Sequence, residues 1–364
     1  MRVLQLIDSL EAGGAERMAV NLANALVSKV ERSYLCASRK EGVLRPALDS
    51  TVGYLFLDKK HTLDLWAIRR LYYFLKRECI TIIHAHSSSF FIAVFVTRAL
   101  PHIKVIWHDH YGNSDFLNER PKRMLVICSN YFSHSFAVNT TLETWAKKHL
   151  KHASVSYLSN FINTKTYNKK KTILQGRKGS RIICLANLRP QKDHINLLLA
   201  FSKITKDFPD YSLHCVGQDF GNTYSEELYR LTNDLDLRSK VFFYGTCSDI
   251  SAILSACDIG VLSSKSEGLP LALLEYGSAG LAVLVTAVGD CSRVVENEKS
   301  GLVVPSEDSE ALYNGLCNLI IYHDKSKQFG LKLKQTVVNT YSVSAVLNSV
   351  LKQYKLVLHN SPSI

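Results

Sequence analysis

The stretch from Asp258 to Val285 constrains the fold more than any other. It opens on one apolar run, Asp258 to Leu262, and closes on another, Leu281 to Val285, each short enough and apolar enough for a buried strand. Between them, Ser263 to Pro270 reads as a polar loop and the residues up to Gly277 as a helix, with Gly280 just beyond its end. Pro270 suits the first helical turn, where its missing N–H has no helical partner to lose. A strand, a loop, a helix and a second strand in that order make one repeat of a parallel sheet covered by helices.

The same alternation runs along the whole chain. It predicts an α/β protein built from parallel sheets with helices on both faces. In the first half, strands are expected at 2–7, 33–37, 52–57, 80–85, 103–107, 135–138 and 154–158. In the second half they are expected at 181–186, 211–216, 240–244, 258–262, 281–285 and 302–304. Asn163 to Ser180 is polar, carries Lys165, Lys169, Lys170, Lys171, Arg177 and Lys178, and includes Gly176 and Gly179, the character of a linker. A chain of 364 residues can bury two cores, so the expected division is 1–163, a linker at 164–180, and 181–341.

Ligands of open α/β sheets sit beyond the carboxyl ends of the strands. The loop after 258–262 lies at such an end and carries Glu267, with Glu275 eight residues later. The amides of Gly268 and Leu269 precede a helix, where orphan N–H donors favour an anion. If the segment were helical throughout, the two carboxylates would lie on the order of 12 Å apart. Two acceptors flanking an anion site at that separation suit a molecule with hydroxyls at both ends and a diphosphate between them, such as a nucleotide sugar.

This Glu-x7-Glu pattern resembles the motif of the retaining glycosyltransferases of family 4, whose GT-B fold has two Rossmann-like doubly wound domains facing a central cleft. Three further stretches carry the resemblance in order: Gly13-Gly14-Ala15-Glu16 after the first strand; His84-Ala85-His86 with Trp107-His108-Asp109-His110; and Asn187 to His194 after the first strand of the second half. The resemblance implies that Glu275 accepts from the nucleotide ribose and that Glu267 lies near the donor sugar. It implies that Lys192 neutralises the diphosphate, a fixed cation serving where other enzymes use a metal. The family places Arg where this chain has Asn187, and Arg189 is the candidate replacement. Gly13 and Gly14 would let backbone amides approach a ligand, and His108 would stand near the transferred sugar, with His110 and Asp109 as adjacent alternatives. The candidates for catalysis are therefore Glu267, His108 and Lys192; those for donor binding are Glu275, Arg189, Lys192, Gly268, Leu269, Gly13 and Gly14. By the same resemblance the last helix, 342–358, packs back on the first domain.

The formal charge of +12 calls for an acidic partner. No helix-turn-helix, zinc finger or aromatic-rich nucleic-acid motif accompanies it, so nucleic acid is not expected. A diphosphate donor and an undecaprenyl-type lipid-linked acceptor at the inner membrane surface would both draw on basic character. The helix pattern from Leu63 to Arg77 is rimmed by Lys59, Lys60, Arg69, Arg70, Lys76 and Arg77, and is a candidate for membrane contact, with an ordinary covering helix as the alternative. No apolar run reaches the ~20 residues of a membrane span, and the start reads as a strand rather than a signal peptide. Nine scattered cysteines without a Cys-x-x-Cys pair suggest neither disulfides nor zinc, which fits a cytoplasmic, peripherally attached protein without metal or cofactor. The expected activity is transfer of a hexose-type sugar from a UDP-sugar, or else a GDP-sugar, to a glycan or lipid-linked hydroxyl in assembly of a capsule, exopolysaccharide or O-antigen. A sugar-nucleotide epimerase of the same fold and a non-catalytic basic membrane partner are the alternatives.

Overall fold

The computed structural model describes residues 1–113, 116–151, 154–161 and 171–359. The chain divides into two compact units, Met1–Phe161 with Val343–Ile364, and Ile162–Ser342. The first holds β1 (Arg2–Ser9), β2 (Arg32–Lys40), β3 (Gly53–Phe56), β4 (Ile82–His86), β5 (Lys104–Asp109), β6 (Phe132–Ala137) and β7 (Val155–Tyr157). They form one sheet in the order β3-β2-β1-β4-β5-β6-β7. The second holds β8 (Arg181–Leu185), β9 (Ser212–Val216), β10 (Val241–Phe243), β11 (Ile259–Leu262), β12 (Ala282–Thr286) and β13 (Leu302–Val304), in the order β10-β9-β8-β11-β12-β13. Neighbouring strands are parallel in both sheets. A strand stands at each expected position, and each unit is a doubly wound α/β fold.

Apolar residues alternate between two covered faces. In the first sheet, Leu4, Leu6, Ile83, Ala85, Val105 and Trp107 pack with the helices Leu65–Arg77 and Phe90–Thr97. Val3, Ile82, Ile106 and Phe136 face the other way, onto the helices Gly14–Leu26 and Val343–His359. The terminal helix contributes Val346, Leu347, Val350 and Tyr354 to that core.

Of the expected linker, 164–170 lies outside the described residues. From Lys171 onward the chain is fastened to the second unit: the Lys171 and Thr172 amides both donate to Asp249 at 2.7 Å. The Arg181 guanidinium donates to the carbonyls of Leu174, Gln175 and Gly176.

The strand order reverses next to β8, and there the sheet opens. β8 and β11 are in register only at Ile182 with Ile259 and Ile183 with Gly260. Beyond that point Tyr276, fully buried on the helix Leu271–Ala279, supplies the missing partners. Its hydroxyl accepts from the Leu185 amide at 2.6 Å and donates toward the carbonyls of Ile183 and Val261, each at 3.3 Å. Gly260 makes this possible, since a Cβ there would stand 2.6 Å from the Tyr276 ring. Tyr276→Phe strands the part-buried Leu185 amide and is expected to lower stability by about 1–3 kcal/mol, read by urea denaturation. An unchanged midpoint would mean that the hydroxyl does not hold the opening.

Candidate active site

In the second unit the loop leaving β11 is tied down at nearly every residue. The Ser263 hydroxyl donates to the Lys192 carbonyl at 3.0 Å, the Lys265 amide to the Gln191 carbonyl at 2.9 Å, and the Thr286 hydroxyl to the Ser264 carbonyl at 2.7 Å. The Asp290 amide donates to the Gly268 carbonyl at 2.9 Å. Gly289, at φ +51°, passes so close that a Cβ would meet the Glu267 carbonyl oxygen at 2.2 Å, so only glycine fits. The loops after β8, β11 and β12 thus form one rigid block at the carboxyl ends of their strands.

Inside that block Glu267 is buried and Lys192 lies against it. The ammonium donates to both carboxylate oxygens, at 2.6 and 2.7 Å, and the Ser264 hydroxyl adds a third bond at 2.6 Å. An ammonium has three N–H groups, so one is left for a further acceptor. Ser264 escaped the sequence reading, although its place three residues before Glu267 was the available signal.

The helix begins at Leu271, with Pro270 extended at its N-cap. Glu267 therefore precedes the helix, and the separation estimated for a continuous helix does not apply. Glu275 lies on the helix, half-buried, one residue before Tyr276. Gly268 and Leu269 form the bend between, with Leu269 buried.

Arg189 is not drawn in beside Lys192. It is exposed, and its guanidinium lies over the Phe220 ring, 4.8 Å from the centroid. The Asn187 side chain accepts from the Gln218 amide at 2.8 Å, so the residue standing where the family has Arg is spent on the backbone. Asp193, left-handed at φ 51° and ψ 49°, caps the helix His194–Asp207 through the Asn196 amide. Burial pushes the His194 imidazole beside it down to about 4.

In the first unit, Gly13 is the extended N-cap of the helix Gly14–Leu26. Its backbone is open to any residue, and a Cβ would meet only the Glu16 side chain; a Cβ on Gly14 would meet nothing within 4 Å. Space is thus open at Gly14 but filled by the Glu16 carboxylate at Gly13, and neither glycine holds a left-handed conformation that would require it.

His108 is the penultimate residue of β5, fully buried. Its Nδ1 lies 3.1 Å from His84 Nε2, and its Nε2 is buried without a partner among the described residues. His110 is half-buried, with its Nε2 3.0 Å from His86 Nδ1. Asp109 is committed elsewhere: Arg120 grips it bidentately at 2.7 and 2.8 Å, and the guanidinium is itself packed on Trp107, Tyr111 and Trp145. That ion pair makes Asp109 structural and leaves His108 as the polar group of this strand end. Gln5 and Tyr354, which complete the cluster, went unread in the sequence.

Nitrogens of His84, His86 and His108 lie within 4.8 Å of one another, close enough to raise the question of a metal. The rings of His84 and His86 are stacked, however, 4.7 Å apart and 6° from parallel. Imidazole lone pairs lie in the ring plane, so these two do not converge on one ion.

Burial holds His84, His86 and His108 well below their ordinary value, and His194 and His214 at about 4. Below about 6.5 the unfolded chain binds protons at these sites while the folded chain does not. Stability is therefore complete above that pH and falls as pH drops, for His194 and His214 until about 4. Each imidazole contributes about 1.4 kcal/mol per pH unit within its window. Denaturant titrations from pH 7.5 to 5 are expected to show a steep acid-side loss; a flat profile would mean that these rings are protonated in the fold.

Residues 165–336 match the family model described as glycosyl transferases group 1, and residues 12–166 match that of glycosyltransferase family 4. The chain is 27% identical over 304 residues to the UDP-Gal:alpha-D-GlcNAc-diphosphoundecaprenol alpha-1,3-galactosyltransferase of Escherichia coli, covering 76% of this chain and 77% of that protein. Among solved structures, Anabaena HepE in complex with UDP-glucose gives a TM-score of 0.83 at 16% identity, over 98% of this chain and 100% of that one. A glycosyltransferase from Rickettsia africae gives 0.78 at 18% identity, over 99% of each chain. These two likenesses carry the fold, which is GT-B. Two family models that follow one another from residue 12 to residue 336, each on its own half, show that the chain belongs to the group 1, family 4 glycosyltransferases.

Proposed function

We propose that this glycosyltransferase moves a hexose-type sugar from a UDP-sugar to a hydroxyl of a lipid-linked glycan, with retention at the anomeric carbon and without a metal. The observation that carries the donor reading is the Lys192–Glu267 pair, fixed at the carboxyl ends of β8 and β11 beside the point where the strand order reverses. A diphosphate is the acceptor that the remaining ammonium N–H suits, and the cation would stabilise charge on the leaving phosphate. Glu275 would take the ribose hydroxyls, and the Gly268 and Leu269 amides a phosphate oxygen. Arg189 would have to leave Phe220 to join them. Glu267 lies beside the phosphate-binding cation, where the donor sugar begins. His108 and the amides at Gly13 and Gly14 would serve the sugar and its acceptor.

UDP is favoured because the E. coli relative is named for a UDP-galactose donor and the Anabaena protein was solved with UDP-glucose. The lipid-linked acceptor rests on the diphosphoundecaprenol in that relative's name, and with it a place in surface-polysaccharide assembly. A thermal-shift panel of UDP, GDP, ADP, CMP and uridine tests the site, since a ligand bound only to the folded state raises its stability, by about 2.7 kcal/mol at a hundred times its Kd. UDP is expected to stabilise most. Glu275→Ala should abolish the shift, and Lys192→Ala should bring UDP down to uridine. A panel without response would count against a nucleotide donor.

No helix among the described residues is long and apolar enough to cross a membrane. Peripheral attachment is proposed for the helix Leu65–Arg77. Leu65 and Trp66 are 72% and 74% exposed, and Leu63, Tyr73 and Phe95 are exposed near them with Arg69, Lys76, Arg77 and Arg98. Exposed apolar and aromatic groups beside cations match an anionic bilayer, each cation adding about 1 kcal/mol. Co-sedimentation with phosphatidylglycerol vesicles should be strong for the native protein and weak for a Leu65→Ser, Trp66→Ser variant; equal binding by both would remove this face from consideration.

A further inference from the structure

The buried histidines of the first unit form a hydrogen-bonded relay whose proton positions can be worked out. Gln5 of β1, His84 and His86 of β4, and His108 of β5 are all fully buried, and Tyr354 of the terminal helix closes over them. The Gln5 amide Nε2 donates to the Tyr354 hydroxyl oxygen at 3.2 Å. That leaves the tyrosine proton for His84 Nδ1, at 2.6 Å. A neutral imidazole carries one N–H, so His84 bears it on Nε2 and donates it to His108 Nδ1 at 3.1 Å. His108 must then carry its own proton on Nε2, the atom buried without a partner.

A second branch runs the opposite way from the same amide. Gln5 Oε1 accepts from His86 Nε2 at 2.9 Å, and His86 Nδ1 then accepts from His110 Nε2 at 3.0 Å. Both branches agree with a single orientation of Gln5. Burial, the largest influence on each ring, together with the neighbouring imidazoles keeps His84, His86 and His108 neutral. The single-proton bookkeeping therefore applies.

We infer that Gln5, Tyr354 and His84 are positioning residues that fix the tautomer of His108, so that it offers Nε2–H as a hydrogen-bond donor and not a lone pair as a base. This functional half rests on the glycosyl-transfer reading of His108: the ligand of that donor is an oxygen of the transferred sugar or of the acceptor, and it must reach an Nε2 that is buried in this structure. Through Tyr354, the terminal helix sets what a strand end of the sheet can do.

The test uses the full-length protein labelled with 15N-histidine, at pH 7.5. Long-range 1H–15N correlation is expected to give His108 as the Nε2–H tautomer in the native protein. Tyr354→Phe removes the hydroxyl that donates to His84 Nδ1. His84 is then free to carry its proton on Nδ1, and His108 is expected to shift to Nδ1–H. With whichever of UDP-glucose, UDP-galactose or UDP-N-acetylglucosamine turns over, kcat in this variant is expected to fall roughly 100-fold. The donor KM should stay unchanged. Native His108 found as Nδ1–H overturns the relay without recourse to any variant, and so does Nε2–H retained in Tyr354→Phe. If the tautomers behave as stated but His108→Ala transfers sugar at the native rate, the assignment of His108 to glycosyl transfer fails and the functional half of this inference fails with it.

Discussion

The opening between β8 and β11 is the constraint on which the second unit depends. A parallel sheet satisfies its backbone only while strands stay paired, and at the reversal of strand order the loops must leave in opposite directions. β8 and β11 remain in register for two residue pairs, after which the exposed amide and carbonyls would be buried without partners. One hydroxyl, on Tyr276, serves three of these groups, and one glycine, Gly260, leaves room for its ring. Once the strands are held apart in this way, the loop after β11 can run under Lys192 and place Glu267 against it. The helix that carries Tyr276 also carries Glu275 at the preceding position, so the residue that props the sheet and the candidate ribose ligand are set by the same turn of helix.

The Lys192–Glu267 pair is poorly explained as a source of stability. Removing two charges from water offsets most of their attraction, and apolar residues of similar size often do as well. Its geometry suits another use. Two N–H groups on Glu267 fix the ammonium in place, and Ser264 holds the carboxylate from the other side. A cation positioned before a phosphate arrives has little reorganisation left to undergo, which is the condition for electrostatic stabilisation of a leaving group.

Much of this was legible in the sequence because strands buried on both faces read as short apolar runs, as at Ile259–Leu262 and Ala282–Thr286, and each strand among the described residues stands where one is expected. Loop landmarks were legible because they follow those runs directly. What stayed hidden depends on side-chain choices among neighbours. Arg189 had Phe220 within reach, 31 residues away, and nothing local to the Asn187–His194 stretch reveals that pairing. Pro270 fits either an N-cap or a first turn, and its extended backbone decided for the cap. Gln5 and Tyr354 are 349 residues apart, beyond any spacing argument. Yet period-two alternation did carry a signal. Val3 and Gln5, Ile82 with His84 and His86, and Ile106 with His108 each continue one covered face, so the polar residues had to gather at the same end of the sheet.

The two units thus present polar groups at their strand ends by opposite means. The second uses an ion pair, in a loop block with the ammonium still partly exposed, where charge can meet charge. The first uses neutral imidazoles in a fully buried row, where an isolated charge would be prohibitive. A neutral donor at the end of a hydrogen-bonded relay is directional without needing a counter-ion, and it cannot form a salt bridge with a passing phosphate. Such a group discriminates by geometry and by the presence of an oxygen to accept its proton, which is what recognition of an uncharged sugar requires. On the proposed reading, in which this chain of net charge +12 handles both a diphosphate and a neutral sugar ring, the two kinds of recognition are kept on separate sheets, one charged and one not.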